Sequence, residues 1–159
     1  YASDILHVGA HGYGILAAAL DVGAVATSLA LLFLPPIRRL GRAIVISVLV
    51  YGMATIAFGL SRTFPMALCA YVMVGIADQV SVVSRSTLVQ MSTPDDLRGR
   101  VSSVSMVFIL ASNQLSVAES GFVAAMTTPE FSVVAGGIMV FVVSAVIALV
   151  VPQLWRYER

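Results

Sequence analysis

Charged residues are scarce in this chain of 159 residues, and lysine is absent. Charged residues make up 11% of the sequence, against about 25% in a typical soluble domain. Hydrophobic residues make up 59%, an excess that a water-soluble core does not absorb. The nine basic residues are all arginine, the formal net charge is +1, and no dense basic cluster occurs. We therefore expect no nucleic-acid partner and exclude an ordinary soluble domain.

Cysteine and catalytic motifs are equally scarce. Cys69 is the single cysteine, so it has no partner for an intrachain disulfide, and we expect a small, buried apolar residue. No nucleophile with its base, glycine-rich phosphate loop or metal-ligand set is present. His7 and His11, four residues apart, could ligate a metal if they were helical, but the sequence offers no third ligand, and Gly9 and Gly12 disfavour a helix. The sequence predicts no metal, no cofactor and no enzyme activity.

Five long apolar segments fill most of the chain. A membrane span needs about 20 mostly apolar residues to cross a hydrocarbon core of roughly 30 Å. The segments that meet this length are 14–34, 43–60, 64–91, 101–126 and 131–151. Polar and apolar residues do not alternate in these segments as they do in the strands of a membrane barrel. Helices are expected because they satisfy all backbone hydrogen bonds internally within lipid.

The predicted fold class is an all-α membrane protein with five transmembrane helices and the lipid bilayer as its surroundings. We assign residues 1–13 to an extracellular or periplasmic loop that follows a missing helix. Residues 14–151 form the helical bundle, and residues 152–159 form a cytoplasmic tail.

Prolines mark the ends of several spans. Pro35 and Pro36 block continuation of the first helix. The Thr-Pro pairs at 93–94 and 128–129 each offer an N-cap residue followed by proline in the first turn of the next helix.

Arginines in the connections predict the orientation in the membrane. The connections after the first, third and fifth spans share one side, and they contain Arg38, Arg39, Arg42, Arg98, Arg100, Arg156 and Arg159. The opposite side has only Arg62. The positive-inside rule places the arginine-rich side in the cytoplasm, and Trp155 and Tyr157 fit an aromatic belt at that end.

Polar residues inside the spans are the candidate functional residues. A charge at mid-membrane costs about 2.5 to 3.5 kcal/mol on insertion scales, so it needs a partner, a cavity or a role. The candidates for proton coupling or for a substrate cavity are Asp78, Glu119, Asn113, Gln114, Arg85 and Asp21.

Asp78 is the first candidate because it lies near the middle of the third span. It shares a helix face with Ser81 and Arg85, but Arg85 is about 10.5 Å away along the axis, too far for a direct pair. Asp78 either carries a proton or binds substrate, or else it is a paired carboxylate that fixes helix packing. Arg85 either serves the substrate or gate, or extends to water at the cytoplasmic end. Asp21 is interpreted as a packing or gate residue.

In the fourth span, Asn113 and Gln114 lie near the midplane, and Glu119 lies more than one turn further out. Asn113 either lines a cavity or forms hydrogen bonds between helices. Two series of small residues at intervals of four predict close helix contacts: Ala19, Gly23 and Thr27, and Ser112, Ser116, Ser120 and Ala124. Gly136 and Gly137 predict a close contact or a mild kink.

The segment RSTLVQMSTPDDLRGRVS at residues 85–102 resembles a part of the major facilitator superfamily, from the tenth helix to the start of the eleventh. The likeness continues through ASNQL at 111–115, ESG at 119–121 and the glycine pair at 136–137. The branch it resembles is that of bacterial exporters related to the enterobactin exporter, also called the transmembrane secretion effector group. This resemblance implies a partial major-facilitator fold, helices eight to twelve of twelve, with the missing N-terminal half of the same transporter as a partner.

The loop after the first span departs from the family pattern. Its sequence IRRLGR at 37–42 matches the superfamily's Gly-Asp-Arg-Gly-Arg signature only at 39–42, and Arg38 stands in place of the aspartate. The resemblance implies cytoplasmic gate loops formed by Arg39, Gly41, Arg42, Asp95, Asp96, Arg98, Gly99 and Arg100. The alternative is that these arginines only set the topology.

The leading functional hypothesis is a secondary active exporter of a small organic molecule, siderophore-like or drug-like, coupled to proton entry and located in the bacterial inner membrane. The alternative is a membrane scaffold or sensor that keeps the transporter fold without transport.

Overall fold

The computed structural model describes residues 10–34 and 39–150. This part of the chain contains five helices and no strand: α1 (Ala10–Phe33), α2 (Leu40–Gly59), α3 (Phe64–Ser92), α4 (Arg98–Met126) and α5 (Pro129–Val150). All five are long and apolar enough to cross a membrane. The prediction of an all-α membrane protein with five transmembrane helices is confirmed.

Several predictions concern residues outside the described ranges. They are the loop assignment for residues 1–9, the role of His7, the helix-ending role of Pro35 and Pro36, the departure at Arg38, and the tail that contains Trp155, Arg156, Tyr157 and Arg159. Within the described part, α1 begins at Ala10 and includes Gly12, so the helix extends beyond the predicted first span.

The two Thr-Pro pairs have different structures. Thr128 caps α5 as predicted, because its Oγ1 accepts a hydrogen bond from the Phe131 N–H at 3.2 Å, and Pro129 is the first helical residue. The prediction that Thr93 caps the next helix is wrong. Thr93 is instead the C-cap residue of α3, and its hydroxyl donates to the Val89 carbonyl at 2.7 Å. A turn over residues 94–97 follows, and α4 begins only at Arg98.

The helices pack in an order that differs from their order in the chain. α3 packs between α1 and α2, α2 also packs on α5, and α5 packs on α4. A small apolar core of Leu16, Phe58, Ala67 and Ala70 joins α1, α2 and α3. Cys69 of α3 is exposed on the surface of this bundle, so the prediction that it is buried is wrong.

Glycine sets the contact between α1 and α3. A Cβ at Gly23 would overlap the Val72 carbonyl of α3, and a Cβ at Gly75 would overlap the Leu20 carbonyl of α1. Ala19, Gly23 and Thr27 are all buried, which confirms the first predicted series of small residues. Since lipid supplies no hydrophobic drive between helices, such close approach stabilises the pair through van der Waals packing.

The contact between α2 and α5 depends on glycine in the same way. A Cβ at Gly52 would lie 3.2 Å from the Gly137 carbonyl oxygen, and one at Gly137 would lie 2.8 Å from Cγ1 of Ile56. Two turns further along α2, a Cβ at Gly59 would lie 2.7 Å from Cγ2 of Val134. Gly137 is therefore the close contact that the sequence predicts, whereas nothing lies within 4 Å of a Cβ at Gly136.

Helix α4 has no buried residue. The predicted close helix contact along Ser112, Ser116, Ser120 and Ala124 is found only in part among the described residues: Ser112 and Ser116 are exposed, whereas Ser120 contacts α5. Ser120 also donates a hydrogen bond to the Ser116 carbonyl at 2.6 Å within α4. The Ser120 carbonyl accepts a bond from the Ser132 hydroxyl of α5 at 3.1 Å.

Candidate functional site

A polar face runs along α3, which packs between α1 and α2. Tyr71, Asp78 and Arg85 recur every seven residues and therefore lie on one face. Asp78 and Arg85 are exposed on the bundle, and Ser81 is half-buried between them. Asp78 and Arg85 interact electrostatically, yet no direct ion pair joins them within the described residues.

Neighbouring helices add polar groups to this face. The phenol of Tyr51 on α2 interacts electrostatically with the Asp78 carboxylate and with Tyr71. The Tyr71 ring stacks on Phe58 of α2, with ring centroids 4.7 Å apart and an angle of 29° between the planes. The α2–α3 contact therefore positions Tyr51 near Asp78 and stacks Phe58 on Tyr71. Tyr51 of α2 is therefore a polar neighbour of Asp78 from another helix.

Asp21 extends the polar face to α1. It is exposed, whereas Ala19 and Gly23 on the same helix are buried against α3. Both Asp21 and Tyr13 interact electrostatically with Tyr71. The helices α1, α2 and α3 thus bring together two carboxylates, three phenols and one guanidinium. Such a set offers proton-carrying groups, hydrogen-bond donors and aromatic surfaces to a polar solute.

Tyr51 and Tyr71 are not among the functional residues predicted from the sequence. The sequence could have identified Tyr71, because it lies seven residues before Asp78 and therefore on the same helix face. No sequence pattern identifies Tyr51, because only the packing of α2 on α3 brings it near Asp78.

A buried hydroxyl lies next to Arg85. Ser84 is 0% exposed, and its Oγ has no hydrogen-bond partner among the described residues. Other hydroxyls in the spans bond to the carbonyl four residues earlier, as Thr27 does to Gly23 at 2.8 Å. Ser84, on the helix that bears the polar face, is therefore a buried hydroxyl that does not follow this hydrogen-bonding pattern.

The candidates on α4 lie apart from this face. Asn113, Gln114 and Glu119 are all exposed. Because α4 packs on α5, which packs on α2, two helices separate α4 from α3 in the packing order. The described residues therefore form two groups of candidates, one on α1–α3 and one on α4.

The predicted gate residues lie at the opposite end of the bundle from the α2–α3 and α4–α5 connections. Gly41 is buried and Arg42 half-buried in the first turn of α2, and Arg39 is exposed before it. In the α3–α4 connection, Arg98 pairs with Asp95 at 2.7 Å and donates from Nε to the Gln90 carbonyl at 3.2 Å. The remaining members, Asp96, Gly99 and Arg100, are exposed.

The described residues contain no group of three histidine, cysteine or acidic side chains that could hold a metal ion.

Curated proteins of similar sequence match almost the whole chain. The enterobactin exporter EntS of Shigella flexneri is 26% identical over 157 residues, which is 99% of this chain and 38% of the exporter. EntS of Escherichia coli O1:K1 / APEC and EntS of Shigella boydii serotype 18 match with the same identity and coverage. The chain resembles the EntS exporters.

This similarity confirms the resemblance predicted from residues 85–137. The chain spans 38% of the length of the EntS exporters, consistent with the C-terminal half of an exporter of the major facilitator superfamily. These relatives are membrane transporters rather than enzymes. No protein-family model and no solved structure matches the chain.

Proposed function

We propose that this chain is part of a secondary active exporter that moves a small organic molecule out of the cell and is driven by proton entry. The observation that carries the proposal is the similarity to the EntS exporters over 99% of the chain. The name of those relatives gives enterobactin as their cargo. For this chain, we propose a small siderophore-like or drug-like molecule.

The proposed coupling group is Asp78. Secondary transporters of this kind rock two halves around a midplane site, and coupling requires a carboxyl group whose protonation differs between the two states. Asp78 is exposed on α3 and interacts electrostatically with Arg85 and Tyr51, which supports this choice. Glu119 on α4 is the second candidate.

The other candidates are assigned by position. We propose that Asp21, Arg85, Asn113 and Gln114 line the substrate path. The two groups of candidates would face one cavity when the five helices assemble with an N-terminal half of the same transporter. The loops containing Arg39, Gly41 and Arg42 and containing Asp95, Asp96, Arg98, Gly99 and Arg100 would form the gate at the cytoplasmic side of the bacterial inner membrane.

The test is Asp78→Asn in the full-length protein. Asparagine keeps the size and polarity of the side chain but cannot exchange a proton. We expect loss of efflux driven by a pH gradient, at least tenfold, with unchanged membrane insertion. Efflux is measured in proteoliposomes, with insertion checked by alkaline extraction.

The matched control is Asp78→Glu, which retains a titratable carboxyl group and should retain coupled efflux. Unchanged efflux in Asp78→Asn would assign coupling to another residue, with Glu119→Gln as the next variant to test. Absence of efflux from the wild-type protein, for every organic solute offered, would reject the exporter function itself.

The alternative function is a scaffold or sensor that keeps the fold without transport. Cys69 is exposed on α3, so its thiol offers a readout that needs no transport assay. An exporter should change its proton leak or its Cys69 labelling rate when a transported solute is added. A scaffold should show neither change.

A further inference from the structure

The polar face of α1, α2 and α3 carries an excess of negative charge. Its charged groups are the carboxylates of Asp21 and Asp78 and the guanidinium of Arg85, which gives two negative charges against one positive. Within the described residues, no direct ion pair reaches either carboxylate. A charge inside a membrane span is costly unless a partner or a cavity compensates it. The face therefore favours a positively charged solute.

The charged groups have a fixed order along the helix axis. On α3, Asp78 lies about 10.5 Å from Arg85 in one direction and from Tyr71 in the other. The contact of α1 with α3 at Gly75 places Asp21 between the levels of Tyr71 and Asp78. Both carboxylates thus lie on the same side of the guanidinium. An anion near them would meet like charge, whereas an anion paired with Arg85 would lie about two turns from Asp78.

Aromatic rings lie beside both carboxylates. Tyr51 interacts electrostatically with Asp78, and Tyr71 interacts with Asp21. Stacking on Phe58 fixes the ring of Tyr71, with centroids 4.7 Å apart, and the half-buried Tyr71 keeps part of its ring accessible. The face of an aromatic ring attracts cations, and aromatic rings also stack on one another. Carboxylates and rings together therefore suit a cation that itself carries a ring.

We propose that the cargo bound at this polar face is a small cation with at least one aromatic ring. This proposal rests on the proposed exporter function, because it names the chemical class of the exporter's cargo. The positive group binds near Asp21 and Asp78, and the ring contacts Tyr71. Aromatic amines in their protonated form and aromatic onium ions belong to this class, whereas anionic aromatic molecules do not.

The test compares three probes that separate charge from aromaticity. Tetraphenylphosphonium is an aromatic cation, tetraphenylborate is an anion of nearly the same size and shape, and tetrabutylammonium is a cation without rings. Binding to the full-length protein in a neutral detergent is measured by equilibrium dialysis, with protein-free micelles as the correction for partitioning.

We expect saturable binding of tetraphenylphosphonium with an affinity about tenfold or more above that of the other two probes. Equal or tighter binding of tetraphenylborate would overturn the proposal, because the face would then not select positive charge. Equal binding of tetrabutylammonium would overturn it as well, because the rings would then contribute nothing. Absence of saturable tetraphenylphosphonium binding would also contradict it.

Substitutions connect the binding to the polar face. Asp21→Asn and Asp78→Asn each remove one negative charge from an exposed position, so each should weaken tetraphenylphosphonium binding about tenfold or more. Tyr71→Leu should weaken it too, and Tyr71→Phe should restore it, because phenylalanine keeps the ring. Glu130→Gln is the matched control, since it removes a carboxylate from the first turn of α5, and binding should stay within about twofold. Equal losses in Glu130→Gln and Asp78→Asn would overturn the proposal, because net charge alone would then attract the cation.

The measurement separates this proposal from the exporter function. Binding needs no transport, so a protein that binds tetraphenylphosphonium at this face but moves no solute would reject the exporter function and retain the aromatic-cation site. A protein that exports an organic solute yet prefers tetraphenylborate would retain the exporter function and overturn the proposed cargo class.

Discussion

At the scale of single residues, buried hydroxyl groups in the spans differ in whether a backbone carbonyl accepts their hydrogen bond. Ser47 is 5% exposed and donates to the Ile44 carbonyl at 2.9 Å, whereas the buried Ser84 has no partner among the described residues. An unsatisfied buried hydroxyl costs about 1 to 3 kcal/mol, while a satisfied one contributes about 1 kcal/mol. Two buried serines of the same bundle should therefore respond oppositely to replacement.

We expect Ser84→Ala to leave the free energy of unfolding unchanged or to raise it by about 1 kcal/mol, because the change removes an unsatisfied group. Ser47→Ala, the matched control, should lower it by about 1 kcal/mol. Unfolding in mixed detergent micelles, followed by circular dichroism, measures both values. Destabilisation by Ser84→Ala equal to that of Ser47→Ala would show that Ser84 has a hydrogen-bond partner.

At the scale of helices, close contacts at glycine hold the bundle together. The glycine pair in α5 provides an internal comparison: a Cβ at Gly137 meets the side chain and backbone of Ile56, while one at Gly136 meets nothing within 4 Å. The two positions are neighbours in the same helix, so they share the same intrinsic helix propensity.

We expect Gly137→Ala to lower the free energy of unfolding by about 1 to 3 kcal/mol through overpacking against α2. Gly136→Ala should be neutral or stabilising by up to about 1 kcal/mol, because alanine is the better helix former. The same micelle assay compares the two variants. Equal effects would mean that α5 does not approach α2 at Gly137.

A comparison of the predicted and observed helices shows which structural features can be predicted from this sequence. Five spans follow from length and apolarity, and the α1 contact at Gly23 follows from spacing, because both are properties of one helix. The failed predictions concern relations between helices. The small-residue series on α4 has the correct spacing, yet Ser112 and Ser116 are exposed and only Ser120 is shown to contact α5 among the described residues. The placement of Tyr51 beside Asp78 depends on how α2 packs on α3.

Thr93 shows a different limit of the sequence analysis. A threonine before proline satisfies the pattern of an N-cap, yet the Thr93 hydroxyl reaches the Val89 carbonyl of the preceding helix. The same side chain serves either helix end, and the sequence alone does not choose between them.

At the scale of the whole molecule, the distribution of arginine predicts the orientation in the membrane. The α2–α3 connection should face outside, and the α3–α4 connection should face the cytoplasm. Thr63 and Asp96 are exposed residues of these two connections and provide one labelling position each.

In the full-length protein with every native cysteine, Cys69 included, replaced by serine, we expect a membrane-impermeant thiol reagent to label Thr63→Cys in intact cells. It should label Asp96→Cys only after permeabilisation, and the protein without any introduced cysteine should stay unlabelled. The reverse pattern would invert the predicted topology, and with it the assignment of Arg39, Arg98 and Arg100 to a cytoplasmic gate.

The absence of buried residues on α4 makes this helix a useful region for genetics. Most substitutions destabilise a protein, and the large effects come mainly from buried groups, whereas no side chain of α4 is buried by the described residues. A library of variants confined to α4 should thus keep normal abundance in the membrane. Variants in it that lose efflux at normal abundance would identify residues that act in transport, among them the proposed coupling candidate Glu119 and the proposed gate residues Arg98, Gly99 and Arg100.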